Sequence, residues 1–230
     1  MAKGTIVIDP GHGGNVEVGG SSANNAISPS GVLEKNLTLR MGFLVRESLQ
    51  AKATADGHTL TIVLTRDTDN NLGLADRARV AAANNADLFL SIHFNGSELH
   101  TARGVETLVS PKARNSNHAD DVLFATRIQA AVFNAIKAHD PNTRDRKVKD
   151  QALGVLNELH LGKITRGCLL EIEFLDVAAV DQLLNLRANS PQVRKHIADA
   201  IADARIASLK APQSRRTSLR GKTDIAASSR

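Results

Sequence analysis

The segment Ile6-Val7-Ile8-Asp9-Pro10-Gly11-His12-Gly13-Gly14 limits the folds open to this chain more than any other stretch. A short β-branched run breaks into a glycine-rich turn that carries one histidine. The run suits a buried strand, and the turn sets an imidazole just past its end. In open α/β sheets, ligands bind at that position, outside the carboxyl ends of the strands. A second buried run, Asp87-Leu88-Phe89-Leu90-Ser91-Ile92-His93, again ends in histidine.

Strand and helix signals alternate along the chain. Thr5 to Ile8, Thr59 to Leu64, Asp87 to His93, Gly104 to Ser110 and Cys168 to Phe174 read as strands. Lys35 to Ala53, Leu74 to Asn84, Asn117 to His139 and Pro191 to Leu209 read as helices. In the first of these, Leu37, Met41, Leu44, Val45 and Leu49 fall at amphipathic spacing. Gly13 to Gly31 reads as a surface loop and Pro141 to Asp150 as a charged loop. This order predicts an α/β fold, a single domain with a mostly parallel twisted sheet flanked by helices on both faces. The domain is expected over residues 1–210, followed by a basic, disordered tail at 211–230.

With 230 residues, 42% of them hydrophobic, the chain can bury a sizeable core. No apolar run approaches the roughly 20 residues that cross a bilayer, so no transmembrane segment is expected. No charged-then-apolar leader precedes the first strand. A cytoplasmic protein, a leaderless lysin and a mature form whose leader is absent are all compatible with that start. The formal net charge of +5 favours anionic partners. The absence of Trp and Tyr removes most stacking platforms for bases and argues against nucleic acid. The single cysteine, Cys168, excludes an intrachain disulfide and a cysteine-cluster zinc site, and reads as a small buried hydrophobe.

His12, Glu34 and His93 together offer two imidazoles and one carboxylate. That is a typical catalytic zinc set, leaving a fourth position open. Each also has a plainer role. A histidine at a strand end can be a satisfied polar group, and a carboxylate at a helix start complements the macrodipole. On the residues alone both readings stand. The glycine turn lacks the Gly-Lys-Ser/Thr of a phosphate loop and the third glycine of a dinucleotide fingerprint.

Five blocks, in order, resemble the zinc-dependent N-acetylmuramoyl-L-alanine amidases. They are Ile6 to Gly14; Gly31-Val32-Leu33-Glu34-Lys35-Asn36-Leu37; Leu64-Thr65-Arg66-Asp67; Ala86 to Asn95; and Cys168-Leu169-Leu170-Glu171-Ile172-Glu173-Phe174. Gly104-Val105-Glu106-Thr107 is a weaker sixth. The resemblance spans about Gly4 to Leu209. It implies that His12, Glu34 and His93 bind zinc and that Glu171 is the catalytic carboxylate, general base and then general acid. The bond cleaved would join N-acetylmuramic acid to L-alanine in peptidoglycan, which places the action at the cell wall. Arg77, Asn84, Asn95 and Glu106 also fall on family-like positions. Glu106 is expected to orient a ligand histidine; Arg77 reads equally as a helix brace, and the asparagines as turn residues.

The chain departs from the family pattern at Glu173, where a glycine is usual. Alternate residues of a strand share a face, so Glu173 is expected beside Glu171, where two carboxylates would drive one pKa upward. Three readings stand: Glu173 points to solvent past the strand end, contacts a cationic or amide part of the substrate, or perturbs Glu171. Between His93 and Glu171 nothing reads as a helix that would plug the site, so activity is expected without an activator. The loop from Asn15 to Ser30 is a candidate rim. The tail is a candidate electrostatic contact with anionic wall polymer. The alternative function is a catalytically inactive, zinc-containing wall-binding module, against which the presence of Glu171 argues.

Overall fold

The computed structural model describes residues 1–211. The part of the expected tail from residue 212 onward lies outside the described residues. Six strands alternate with helices: β1 Lys3–Pro10, β2 Thr59–Leu64, β3 Leu88–Asn95, β4 Val105–Val109, β5 Asp145–Asp150 and β6 Arg166–Phe174. The helices are α1 Glu34–Asp56, α2 Leu74–Ala83, α3 His118–Lys137, α4 Glu158–Leu161, α5 Ala178–Asp181 and α6 Ser190–Lys210. The strands form one sheet in the order β2-β1-β3-β6-β4-β5. Pairing is parallel except between β4 and β6, which run antiparallel. The expected mostly parallel α/β domain is what forms.

Alternation along the strands divides the core in two. Ile6 and Ile8 of β1 face a thick layer, where Met41 and Val45 of α1, Ile128 and Val132 of α3, and Ile197 and Ile201 of α6 pack together. Val7, Phe89, Leu108 and Leu169 face the other way, against Ala78 and Ala81 of α2 and against Val155, Leu156 and Leu161. This second layer is thin, built from α2, the short turn Gly154–Leu156 and α4. It leaves a cleft above the carboxyl ends of β1, β3 and β6. Asp9, Ser91, His93, Leu169 and Glu171 all line that cleft.

One element corrects the sequence reading. The stretch Asp145–Asp150, expected as part of a charged loop, is an edge strand parallel to β4. Its sequence, DRKVKD, has one apolar residue, so periodicity could not reveal it. Charge suits an edge strand, because it blocks pairing with another chain. Cys168 is fully buried, as expected, and burial pushes its thiol pKa well up. Among the described residues, no helix is long and apolar enough to cross a membrane.

Candidate active site

The turn after β1 is built around two close approaches. A Cβ on Gly11 would lie 2.2 Å from Cε1 of His93, so only glycine lets the imidazole sit there. At Gly13, φ is +135°, and a Cβ would meet the Asn70 carbonyl oxygen at 2.1 Å. Between them His12 adopts a left-handed φ of 61°, uncommon for a residue with a side chain. Arg77 of α2 holds this geometry. Its guanidinium is buried and donates to the carbonyls of Pro10 and His12 and to Asp9 Oδ1. Asp9 also accepts from Thr65 and Ser91. Burial works to raise the Asp9 pKa, but the Arg77 charge and these hydrogen bonds outweigh it and hold the carboxyl below its usual range.

Three elements then bring His12, Glu34 and His93 together. Glu34 is the first residue of α1 and is fully buried. Its Oε1 lies 3.1 Å from His12 Nε2 and 3.1 Å from His93 Nδ1. One donor atom from each of the three residues falls within 4.8 Å of the others. The peptide N–H of Phe94 donates to Glu34 Oε1, and that of Ala26 to Oε2. His12 Nδ1 lies 3.0 Å from the Ser22 carbonyl oxygen, to which it can only donate, and 3.1 Å from the Ser22 hydroxyl, which can accept the same proton. The lone pair of His12 Nε2 then faces a carboxylate oxygen, an arrangement that needs a proton or a cation between them. Burial depresses the His12 pKa, yet its bond to Glu34 more than offsets this and raises it. Burial pushes the Glu34 pKa up, and the two histidines bring it well below the carboxylate range. Two imidazoles and one carboxylate, with His12 and Glu34 fixed from behind by hydrogen bonds, fit a divalent metal with an open fourth position.

Glu171 stands beside His93 on the neighbouring strand, in register with it. Its Oε2 is buried and has no hydrogen-bond partner among the described residues. Burial, followed by the negative charges of Glu34 and Glu106, raises its pKa well above the usual range. The cleft, ≈ 330 Å³ in volume, is walled on its other side by Leu74, Leu153 and Val155. Of the expected rim, Gly20, Ser21, Ser22 and Asn25 line it.

Two expectations about carboxylates are corrected. Glu106 contacts neither histidine. It lies opposite Glu171 on β4 and binds Arg146, Lys149 and, at 3.4 Å, Asn95. Glu173 neither points to solvent nor sits beside Glu171. Between His93 and Asn95 the register slips, so that Glu171 to Phe174 spans the same distance on β6 as two residues on β3. This bulge breaks the alternation on which the expectation rested. Glu173 is fully buried and accepts from Thr143 Oγ1, the peptide nitrogens of Gly104 and Phe174, and the Arg103 guanidinium. That burial leaves it no contact with a substrate in the cleft.

Asn84 ends α2, where its amide donates to the Val80 carbonyl. Asn95 accepts from Gly96 N–H and reaches Glu106. Sequence reasoning missed Asp9, Arg66 and Ser22 as supports. Arg66, inside a block that carried the resemblance, is buried and donates to the carbonyls of Pro10, Gly11 and Lys35. A buried arginine in the loop after β2 has no other polar surface to serve, and that was the available signal.

A profile of the N-acetylmuramoyl-L-alanine amidase family matches residues 6–203. The chain is 32% identical over 206 residues to a cell wall amidase of Bacillus anthracis that is itself uncharacterized, covering 86% of this chain and 34% of that protein. It is 34% identical over 152 residues to the N-acetylmuramoyl-L-alanine amidase LytC of Bacillus subtilis (strain 168), covering 66% of this chain and 26% of LytC. The chain thus spans about a third or less of the length of these two relatives. Among solved structures, an N-acetylmuramoyl-L-alanine amidase from Clostridium difficile 630 is similar with a TM-score of 0.71 at 25% identity, over 92% of this chain and 99% of that one.

Proposed function

The chain belongs to the N-acetylmuramoyl-L-alanine amidase family, and from that premise we propose that it hydrolyses the amide between N-acetylmuramic acid and L-alanine in peptidoglycan. His12 Nε2, His93 Nδ1 and Glu34 would hold a zinc ion. A zinc ion held there would supply a Lewis acid able to polarise the scissile carbonyl and lower the pKa of water. Glu171 takes a proton from the attacking water at Oε2 and returns it to the nitrogen of the departing alanine. The observation that carries this reading is the buried, unpartnered Oε2 of Glu171, one strand from His93 and facing the cleft. Burial and like charges raise the pKa of this carboxyl, which makes it a stronger proton acceptor than an ordinary carboxylate. Arg77 and Asp9 keep the His12 turn in its left-handed conformation, and Ser22 fixes the tautomer that turns Nε2 inward. The inactive wall-binding alternative is not favoured, because a purely structural site has no need of an unpaired buried carboxyl beside it.

Purified protein incubated with peptidoglycan tests the reading. Free L-alanine amino ends should be released without new reducing sugar ends. Release should stop on chelation and return with zinc. Reducing ends without amino ends, or chelator-resistant release, would contradict it.

A further inference from the structure

Next to Glu171, at the edge of the cleft, β4 and β5 carry a charged cluster. Glu106, opposite Glu171, is gripped at Oε2 by Arg146 Nε (2.9 Å) and by Lys149 Nζ. Arg146 and Lys149 are three residues apart and would face opposite sides of a regular strand. They share a face because β5 carries a bulge. Asp145 to Val148 on β5 spans Val105 to Thr107 on β4, and Lys147 within it has a left-handed φ of 72°. Lys149 then pairs with Leu108, on the face that also carries Glu106. A strained residue that brings two cations to one face beside a cleft is a feature of the kind bulges serve near functional sites.

The cluster carries one negative and two positive charges, leaving one cation in excess. Arg146 is fixed in place, by Nε on Glu106 and by its guanidinium carbon 5.0 Å from the centre of the Phe174 ring. Its two Nη nitrogens have no partner among the described residues. The side chain is 35% exposed and that of Lys149 45%. A planar guanidinium held from behind, with its fork open, is a receptor for a carboxylate.

We propose that Arg146, with Lys149, binds a carboxylate of the peptide half of the substrate and sets specificity for it; this rests on the amidase reading above. Two strand spacings separate β6 from β5, about 10 Å, which two or three residues of extended peptide cover. A carboxylate on the second residue of the peptide, counted from the alanine of the scissile amide, falls within that reach. A carboxylate on the third residue offers the same chemistry from one step further on.

Synthetic muropeptides test the assignment. One pair differs only in a free or amidated α-carboxylate at the second residue, and another only in a free or amidated side-chain carboxylate at the third. For the wild type, kcat/KM should favour the free second-residue carboxylate by about tenfold or more, chiefly through KM. Arg146→Gln should reduce that ratio to near one, and Arg146→Lys should restore part of it. If Arg146→Gln does not fold, Lys149→Gln carries the same expectation in weaker form. A preference that follows the third residue and vanishes in Arg146→Gln supports the clamp and moves its ligand one residue on. Equal hydrolysis of both members of each pair, or a preference that survives in Arg146→Gln, overturns the inference and leaves the amidase reading intact. Hydrolysis of none overturns the amidase reading and the inference with it.

Discussion

The cleft around Glu171 and the bonded knot around Glu173 are built by residues two apart on one strand, yet they treat a carboxylate in opposite ways. Glu173 is buried among donors supplied by Thr143, Arg103, Gly104 and Phe174. It ties the end of β6 to the segment after α3. Glu171 is half-buried beside like charges and keeps one buried oxygen without a donor. A fully bonded carboxylate stabilises structure, whereas one left unpaired costs stability and can hold a proton for chemistry. The β6 bulge keeps the two apart, so that the structural carboxylate does not repel the working one.

The largest expected effect lies on the cleft side. Glu171→Gln should lower kcat by about 10²–10⁴-fold, with a melting temperature equal to or above that of the wild type. A clear fall in melting temperature would mean that Glu171 is structural like its neighbour. Glu173→Gln should do the reverse. It should cost about 3 kcal/mol of stability in a urea titration, because it removes the buried partner of Arg103, which keeps Asp140. Turnover per folded molecule should fall far less than in Glu171→Gln.

Titration separates these carboxylates from a third. Asp121 is buried near the start of α3, and burial raises its pKa to about 7 despite hydrogen bonds from Asn115, Gly167 and Asn117. A carboxyl with a raised folded pKa lends stability below its unfolded pKa and loses it as pH rises through the folded value. The Asp121 share should therefore be lost between about pH 4 and pH 7, and Asp121→Asn should flatten that slope in unfolding experiments. The smallest expected effect is that of Glu106→Gln. It removes one negative neighbour of Glu171, so the Glu171 pKa should fall and the acidic limb of the pH–rate profile should move down by about one pH unit or less. An unmoved limb would mean that Glu106 is electrically silent at the site.

The alternation of strands and helices was readable because β1, β3 and β6 are apolar runs, and the two strand-end histidines followed from them. Glu34 was readable as the start of α1. The family resemblance, rather than spacing, joined these residues to Glu171. What escaped the sequence depends on register. Edge strand β5 has charges where periodicity needs apolar residues, and its bulge turns Arg146 and Lys149 to one face. The β6 bulge defeats the rule that Glu171 and Glu173 share a side, and a one-residue slip leaves no mark in composition. Ser22 meets His12 Nδ1 through both its backbone carbonyl and its hydroxyl, and a serine in a glycine-rich loop carries no sign of that contact.

Metal content and turnover measured together on Glu171→Gln separate metal binding from proton transfer. The variant should carry about one zinc per chain, bound as in the wild type, with no release of L-alanine amino ends above background. Loss of the metal would make Glu171 part of the ligand shell, and wild-type turnover with metal retained would remove it from the chemistry; either result contradicts the division of labour between this residue and the His12–Glu34–His93 centre.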